Sequence, residues 1–255
     1  MPESSTLTLE GDGNLNISIS DTEAFGIGNG IESKTGNLIF DQDGTVEIIF
    51  GVTKGICIGA GKGASIDIRR GRYFIRMQGT EGTAIGTLTG DISLSVVNCA
   101  IDLNANVMKA VGIGSHTGSL DLKVEHISYI SSFNGNDVSV MGTLAGGNTN
   151  IDLYSANLQS KFNASRGLMF GPLDASPSNI NLDYATIRMD CEGIQVSFFR
   201  GTDRNSRLAI TNSHIDGKIV SGKEVPCVLD DMEFTISKSG AMIDVNGEPL
   251  YRGSY

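Results

Sequence analysis

The sequence predicts an all-β chain wound as a single-stranded, right-handed parallel β-helix of about nine coils with three short strands each. Three observations carry that expectation. An apolar doublet recurs nine times at intervals of 23 to 31 residues. A glycine recurs with nearly the same period. A further apolar segment follows most doublets before the next glycine arrives.

The doublets are Leu15/Ile17, Leu38/Phe40, Ile66/Ile68, Ile92/Leu94, Leu120/Leu122, Ile151/Leu153, Ile180/Leu182, Leu208/Ile210 and Phe234/Ile236. One residue separates the members of each, the period-2 spacing of a strand with one buried face. A strand repeat near 28 residues is the signature of a solenoid. Parallel strands need crossovers, and the rest of each coil supplies them.

The periodic glycines close the strings AFGIG, GICIG, GTAIG, AVGIG, VSVMG and GLMFG, at Gly28, Gly59, Gly86, Gly114, Gly142 and Gly171. A glycine at a fixed place in every coil supplies positive φ at a corner. The third strand is expected at Val46/Ile48, Tyr73/Ile75, Ile101/Leu103, Ile127, Leu158, Ile187/Met189 and Ile215. Between doublet and third strand, a stacked turn is expected to carry Asn98, His126, Asn157 and His214 as a polar ladder, because Asn and His tolerate left-handed backbone. His116, in the loop after Gly114, reads as a solvated side chain. The loops from the corner glycine to the next doublet vary most in length, which marks an edge that tolerates insertions.

The whole chain, 1–255, is expected to form one domain. Residues 1–20 make a first coil with nothing amphipathic to cover it, so an upstream domain or a homo-oligomer is expected at that edge. Residues 241–255 contain Asn246-Gly247 between short apolar segments, a hairpin signal, and are expected to cap the other end.

Composition narrows the function classes. The net charge of −10 and pI near 4.7 disfavour nucleic acid as a partner of this domain. No run of 18 apolar residues occurs, so membrane insertion by a helix is not expected. The N-terminus has neither the basic nor the apolar region of a signal peptide. The chain as it stands reads as cytoplasmic, or as cell-surface or secreted if a signal preceded it. Cys57, Cys99, Cys191 and Cys227 lack CxxC spacing and read as buried thiols, with no zinc site.

Candidate chemistry is sparse. The residue between doublet members should face outward, which selects Asp67, Asp121 and Asp152. If Asp121 and Asp152 lie on adjacent coils they are about 5 Å apart and repel unless a cation, a proton or Lys123 relieves them. They are therefore the candidate metal ligands, with calcium the candidate ion. Asp67, Asp121, Asp152, Lys123 and Tyr154 form the candidate binding set. Tyr154 and Tyr184 follow neighbouring doublets and read as turn packing, with a small aromatic platform as the alternative. No catalytic residue is assigned: no triad can be placed in one coil, and GAGKGAS and GIGNG depart from the phosphate-binding and dinucleotide-binding patterns.

The element small-x-Gly-Ile-Gly, Gly-rich loop, x-Ile-x-Ile resembles the Gly-Ile-Gly repeat of β-helical proteins from gut bacteria, many described as carbohydrate-binding or adhesion-like. AFGIGNG, GICIGAGKG and AVGIGSHTGSLDL carry it, over roughly residues 20–240; GLMFGPL keeps one glycine and GIQVSFF loses the pattern. The resemblance implies an accessory, non-enzymatic interaction or adhesion module with a glycan or protein ligand. Two alternatives stand beside it. One is a polysaccharide lyase or hydrolase using the outward aspartates; the other is a structural or sensory appendage of a larger intracellular protein.

Overall fold

The computed structural model describes residues 2–174, 176–200, 206–221, 233–236, 242–246 and 248–252. They form a parallel β-solenoid of about eight turns. Among the described residues no helix is long and apolar enough to cross a membrane.

The strands fall into two stacks. The first holds the short strands β1 (Thr6–Gly11), β5 (Ile92–Val97), β7 (Leu120–Glu125), β9 (Thr149–Tyr154), β11 (Ser178–Asp183), β13 (Arg207–Thr211) and β15 (Glu233–Ile236). The second holds β2 (Leu15–Gly28), β6 (Cys99–Thr117), β8 (Ser128–Ala145), β10 (Asn157–Pro172), β12 (Thr186–Phe199), β14 (His214–Ser221) and β16 (Met242–Val245). In the second and third coils the two are continuous, as β3 (Asn37–Ala60) and β4 (Ala64–Thr89). The final strand, β17 (Glu248–Arg252), runs antiparallel to β16, and Asn246 between them has φ 53°. Gly247, the other residue of the expected Asn246-Gly247 turn, lies outside the described residues.

Three separate strands per coil are thus replaced by a short strand and a long one that bends without losing its pairing. The turn between the two stacks interrupts the ladder at the left-handed residues Asn98, His126, Ser155, Tyr184 and Asn212, and the loop from each long strand to the next short one, as at residues 118–119, interrupts it again. Asn98 and His126 sit where the turn ladder was expected. Asn157 and His214 do not. They open the following strands, in register with Ser128 and Thr186.

The displacement has one cause, the register of the doublets. Leu38/Phe40 stacks on Leu7/Leu9, while Leu15/Ile17 stacks under Val46/Ile48 in the other stack. Further along, Ile66/Ile68 stacks on Leu94/Val96, and Leu122/Val124 on Ile151/Leu153. The true inward pairs therefore begin at residues 7, 38, 66, 94, 122, 151, 180, 208 and 234. Nine such rungs bound the eight or so turns. Ile127 likewise precedes the third-strand column, where Tyr129 stands between Ile101 and Leu158.

The core is the stack of these inward residues, with Leu38, Phe40, Val46, Ile48, Ile68, Tyr73 and Ile75 all essentially inaccessible. Each long strand then changes character. Along β6 alternation persists to Val107, and Ala110 to His116 is buried without interruption. A strand covered on both faces loses its alternation. One face meets the main core. Over the other the loop folds back, and Val111, Leu144, Leu168 and Leu173 make a second small core. His116 is part of this flap rather than a solvated loop residue: it is 4% exposed, its Nε2 lies 3.1 Å from the Gly82 carbonyl and its Nδ1 3.4 Å from Glu81.

The corner glycines stack directly, Gly28 on Gly59, then Gly86, Gly114, Gly142 and Gly171. Their φ values run from 103° to 159°, and a Cβ on Gly114 would sit 1.8 Å from the Gly142 carbonyl oxygen. Both backbone conformation and space exclude a side chain there. Where GIQVSFF loses the sequence pattern the column continues, with Phe199 in register with Phe170 and the rings stacked at 5.5 Å. Cys57, Cys99 and Cys191 are buried thiols, and burial pushes the Cys99 thiol up to about 12. Cys227 lies outside the described residues.

Candidate functional site

The outward face of the short-strand stack is ordered by the same register. Its central column reads Thr8, Ile39, Asp67, Ser95, Lys123, Asp152, Asn181 and Ala209. Beside it run Ser93, Asp121, Asn150, Asn179 and Arg207.

This arrangement corrects the expected carboxylate pair. Asp121 faces Asn150, and Asp152 faces Lys123, so the two aspartates are diagonal neighbours and not stacked ones. The physical reason is the two-residue slip of the fifth doublet, which moves Asp121 out of the central column. Lys123 does not bridge to Asp152 either. Its Nζ lies 2.7 Å from Glu125, and that bond holds the Glu125 carboxyl below its ordinary value and raises the Lys123 amine. Asp152 instead accepts a hydrogen bond from Asn181 Nδ2 at 2.9 Å, and Asn150 accepts one from Asn179 Nδ2 at 3.3 Å. Among the described residues no group of three or more His, Cys, Asp and Glu side chains is placed to hold a metal ion. Asp67 stands three rungs from Asp152, bonded at 2.8 Å to Arg69 Nε in a cluster with Asp41, Asp43 and Arg70.

Asp121, Asn150, Asp152, Asn179, Asn181 and Arg207 do converge on one shallow hollow of about 630 Å³. Tyr154 lies two residues beyond Asp152 on β9, on the same outward side. Its ring meets Tyr184 edge-on at 5.9 Å and His126 at 5.5 Å. Tyr154 and Tyr184 are 43% and 58% exposed. Tyr184 and His126 also line a second hollow of about 770 Å³ along the turn ladder, with Arg72 and Asn98. The left-handed turn is what raises these rings: His126 and Tyr184 occupy the positive-φ position itself, with φ of 53° and 52°.

Four members of this patch escaped sequence reasoning: Asn150, Asn179, Asn181 and Arg207. Their signal was present, since Asn150/Asp152 and Asn179/Asn181 repeat an outward polar pair at one coil's spacing. A charged column was missed as well. Glu23, Lys54, Glu81, Lys109, Asp137 and Arg166 lie in register in successive coils and alternate in sign. Each stands five residues before a corner glycine, so the glycine repeat already encoded it. Arg166 closes it with bonds of 2.7 Å to Asp137 and 2.8 Å to Asp174.

Fold and site together define the class: a parallel β-solenoid with a polar amide and carboxylate face bordered by exposed tyrosines. No family model, curated protein or solved structure matches the chain.

Proposed function

We propose that the chain is a non-enzymatic interaction module that binds a glycan across the outward face of β7, β9, β11 and β13. The observation that carries this reading is the exposed Tyr154–Tyr184 pair at the margin of the Asn150/Asp152/Asn179/Asn181 field. Tyrosine offers an apolar ring face for a sugar's C–H face and a hydroxyl for water. Asn and Asp supply donors and acceptors, and Arg207 donors only, at fixed rungs for ring hydroxyls. The hollow is shallow, which suits the side of an extended chain better than an enclosed small molecule. The resemblance to Gly-Ile-Gly repeat proteins points the same way, to adhesion or an accessory role.

The test is a glycan array followed by calorimetric titration of the tightest oligosaccharide with wild type, Tyr154→Ala, Tyr184→Ala and Asn181→Ala. Each tyrosine substitution is expected to weaken binding by about tenfold. Binding unaffected by both would overturn the reading. Loss of binding in EDTA would bring a cation back to Asp121 and Asp152. Release of new chain ends from the bound polysaccharide would replace the module by a lyase or hydrolase.

A further inference from the structure

The N-terminal end of the rod is an unfinished sheet. Among the described residues β1 and β2 pair only with β3, so each presents one open edge. The inward residues behind that edge are uncovered: Leu7 is 37% exposed, against 1% for Leu38, its partner one coil inward. Leu9, Leu15, Ile17 and Ile19 are only partly buried.

Charge says what would cover it. The first 33 residues contain Glu3, Glu10, Asp12, Asp21, Glu23 and Glu32, and no Lys or Arg. Lys62 neutralises Glu32 at 2.7 Å. Glu10, Asp12, Asp21 and Glu23 have no ion pair among the described residues. Glu23 is also the outermost rung of the alternating column, above Lys54, Glu81 and Lys109. A cation set over Glu23 would extend that alternation by one rung. A second copy does not meet this requirement. Its N-terminal edge carries the same acids. At its other end, among the described residues, β16 is paired on both sides, with β14 and β17.

We propose that this end is a strand-docking surface for a partner polypeptide with an extended basic segment. The segment adds in parallel to the open edge of β1 and β2, lays alternate apolar side chains over Leu15, Ile17 and Ile19, and sets a Lys or Arg against Asp21 and Glu23. Main-chain hydrogen bonds supply affinity in this mode, and alternate side chains supply selectivity. The opposed charges speed encounter and exclude acidic strands. An unpaired parallel edge with apolar residues behind it is also an aggregation hazard, which a bound strand removes.

The test uses the full chain and two labelled peptides, Val-Ser-Val-Ser-Val-Ser-Lys-Ser-Lys and the same sequence with Glu for Lys, which set Val over Leu15, Ile17 and Ile19 and the charges over Asp21 and Glu23. Fluorescence anisotropy is expected to show the lysine peptide binding at least about tenfold tighter, with the preference shrinking as salt rises. Hydrogen exchange should slow in residues 15–23 when it is bound. The triple variant Glu10→Gln/Asp21→Asn/Glu23→Gln changes only exposed side chains and should erase the preference while leaving the rest of the exchange map as in wild type. Equal binding of the two peptides, protection confined to other coils, or a stable dimer of the chain alone in sedimentation would each overturn the proposal.

Discussion

The first coil and the coils behind it are written in the same pattern and end in different states. Leu7/Leu9 and Leu38/Phe40 are in-register rungs of one column, yet Leu7 is 37% exposed and Leu38 1%. Leu15 and Ile17, only partly buried, and Val46 and Ile48, both at 0%, repeat the contrast in the other stack. A solenoid repeat cannot bury its own inward face; a neighbour on each side does that. The end coil has one neighbour. Its apolar residues are core by pattern and surface by circumstance, and that asymmetry separates the proposed binding face in the middle of the rod from the proposed docking edge at its end.

Glycine substitutions should break the comparison most sharply. Gly114→Ala forces a Cβ to 1.8 Å from a carbonyl oxygen at a φ of 144°, in a coil paired on both sides. Chemical denaturation is expected to show a loss of at least about 3 kcal/mol. Gly13→Ala, in the first coil, meets nothing within 4 Å and should stay within about 0.5 kcal/mol of wild type.

Truncating the paired leucines sharpens the same contrast at a smaller scale. Leu38→Ala opens a cavity in a closed core and should cost about 2–5 kcal/mol. Leu7→Ala removes a side chain that water already reaches, and about 1 kcal/mol is expected. Equal losses at the two positions would mean that the end coil is covered in solution.

The smallest effect concerns pH and the flap. The hydrogen bond from His116, followed by the nearby charges of His116, Lys54 and Lys109, holds the Glu81 carboxyl below its ordinary 4.5, against the opposing effect of burial. With the folded value lowered, the unfolded chain binds more protons as pH falls below 4.5. The stabilisation is present above that pH and is lost as pH falls through the lowered value. Unfolding midpoints measured from pH 6 down to 3, about the window in which this carboxyl titrates, should decline less steeply in Glu81→Gln.

The repeat period, the corner glycines and the parallel solenoid were legible because each follows from spacing alone. The register was not. In Ile92/Leu94/Val96 and Leu120/Leu122/Val124 three apolar residues alternate, and any two of them make a valid doublet. Choosing the first two moved the outward column by two residues, put Asp121 beside Asp152 and misplaced Asn157 and His214. The irregular spacing of 23 between Leu15 and Leu38 was the available warning, since Leu7 to Leu38 is 31. His116 was misread for a different reason: nothing in a single loop shows that it folds back over its neighbour's strand.

By itself the sequence determined what the six coils from Gly28 to Gly171 share: a period-2 inward face, a glycine where no Cβ fits, and a charge of alternating sign five residues before it. These are local requirements repeated along one chain, so one dimension suffices to state them. The tertiary structure decided which apolar pair meets which, and therefore which polar side chains become neighbours. It decided too that Tyr154 and Tyr184 meet at the surface and that Leu7 remains uncovered. Such relations depend on residues nearly thirty positions apart coming within one strand spacing, and a two-residue choice of register leaves the pattern intact while changing every contact across it.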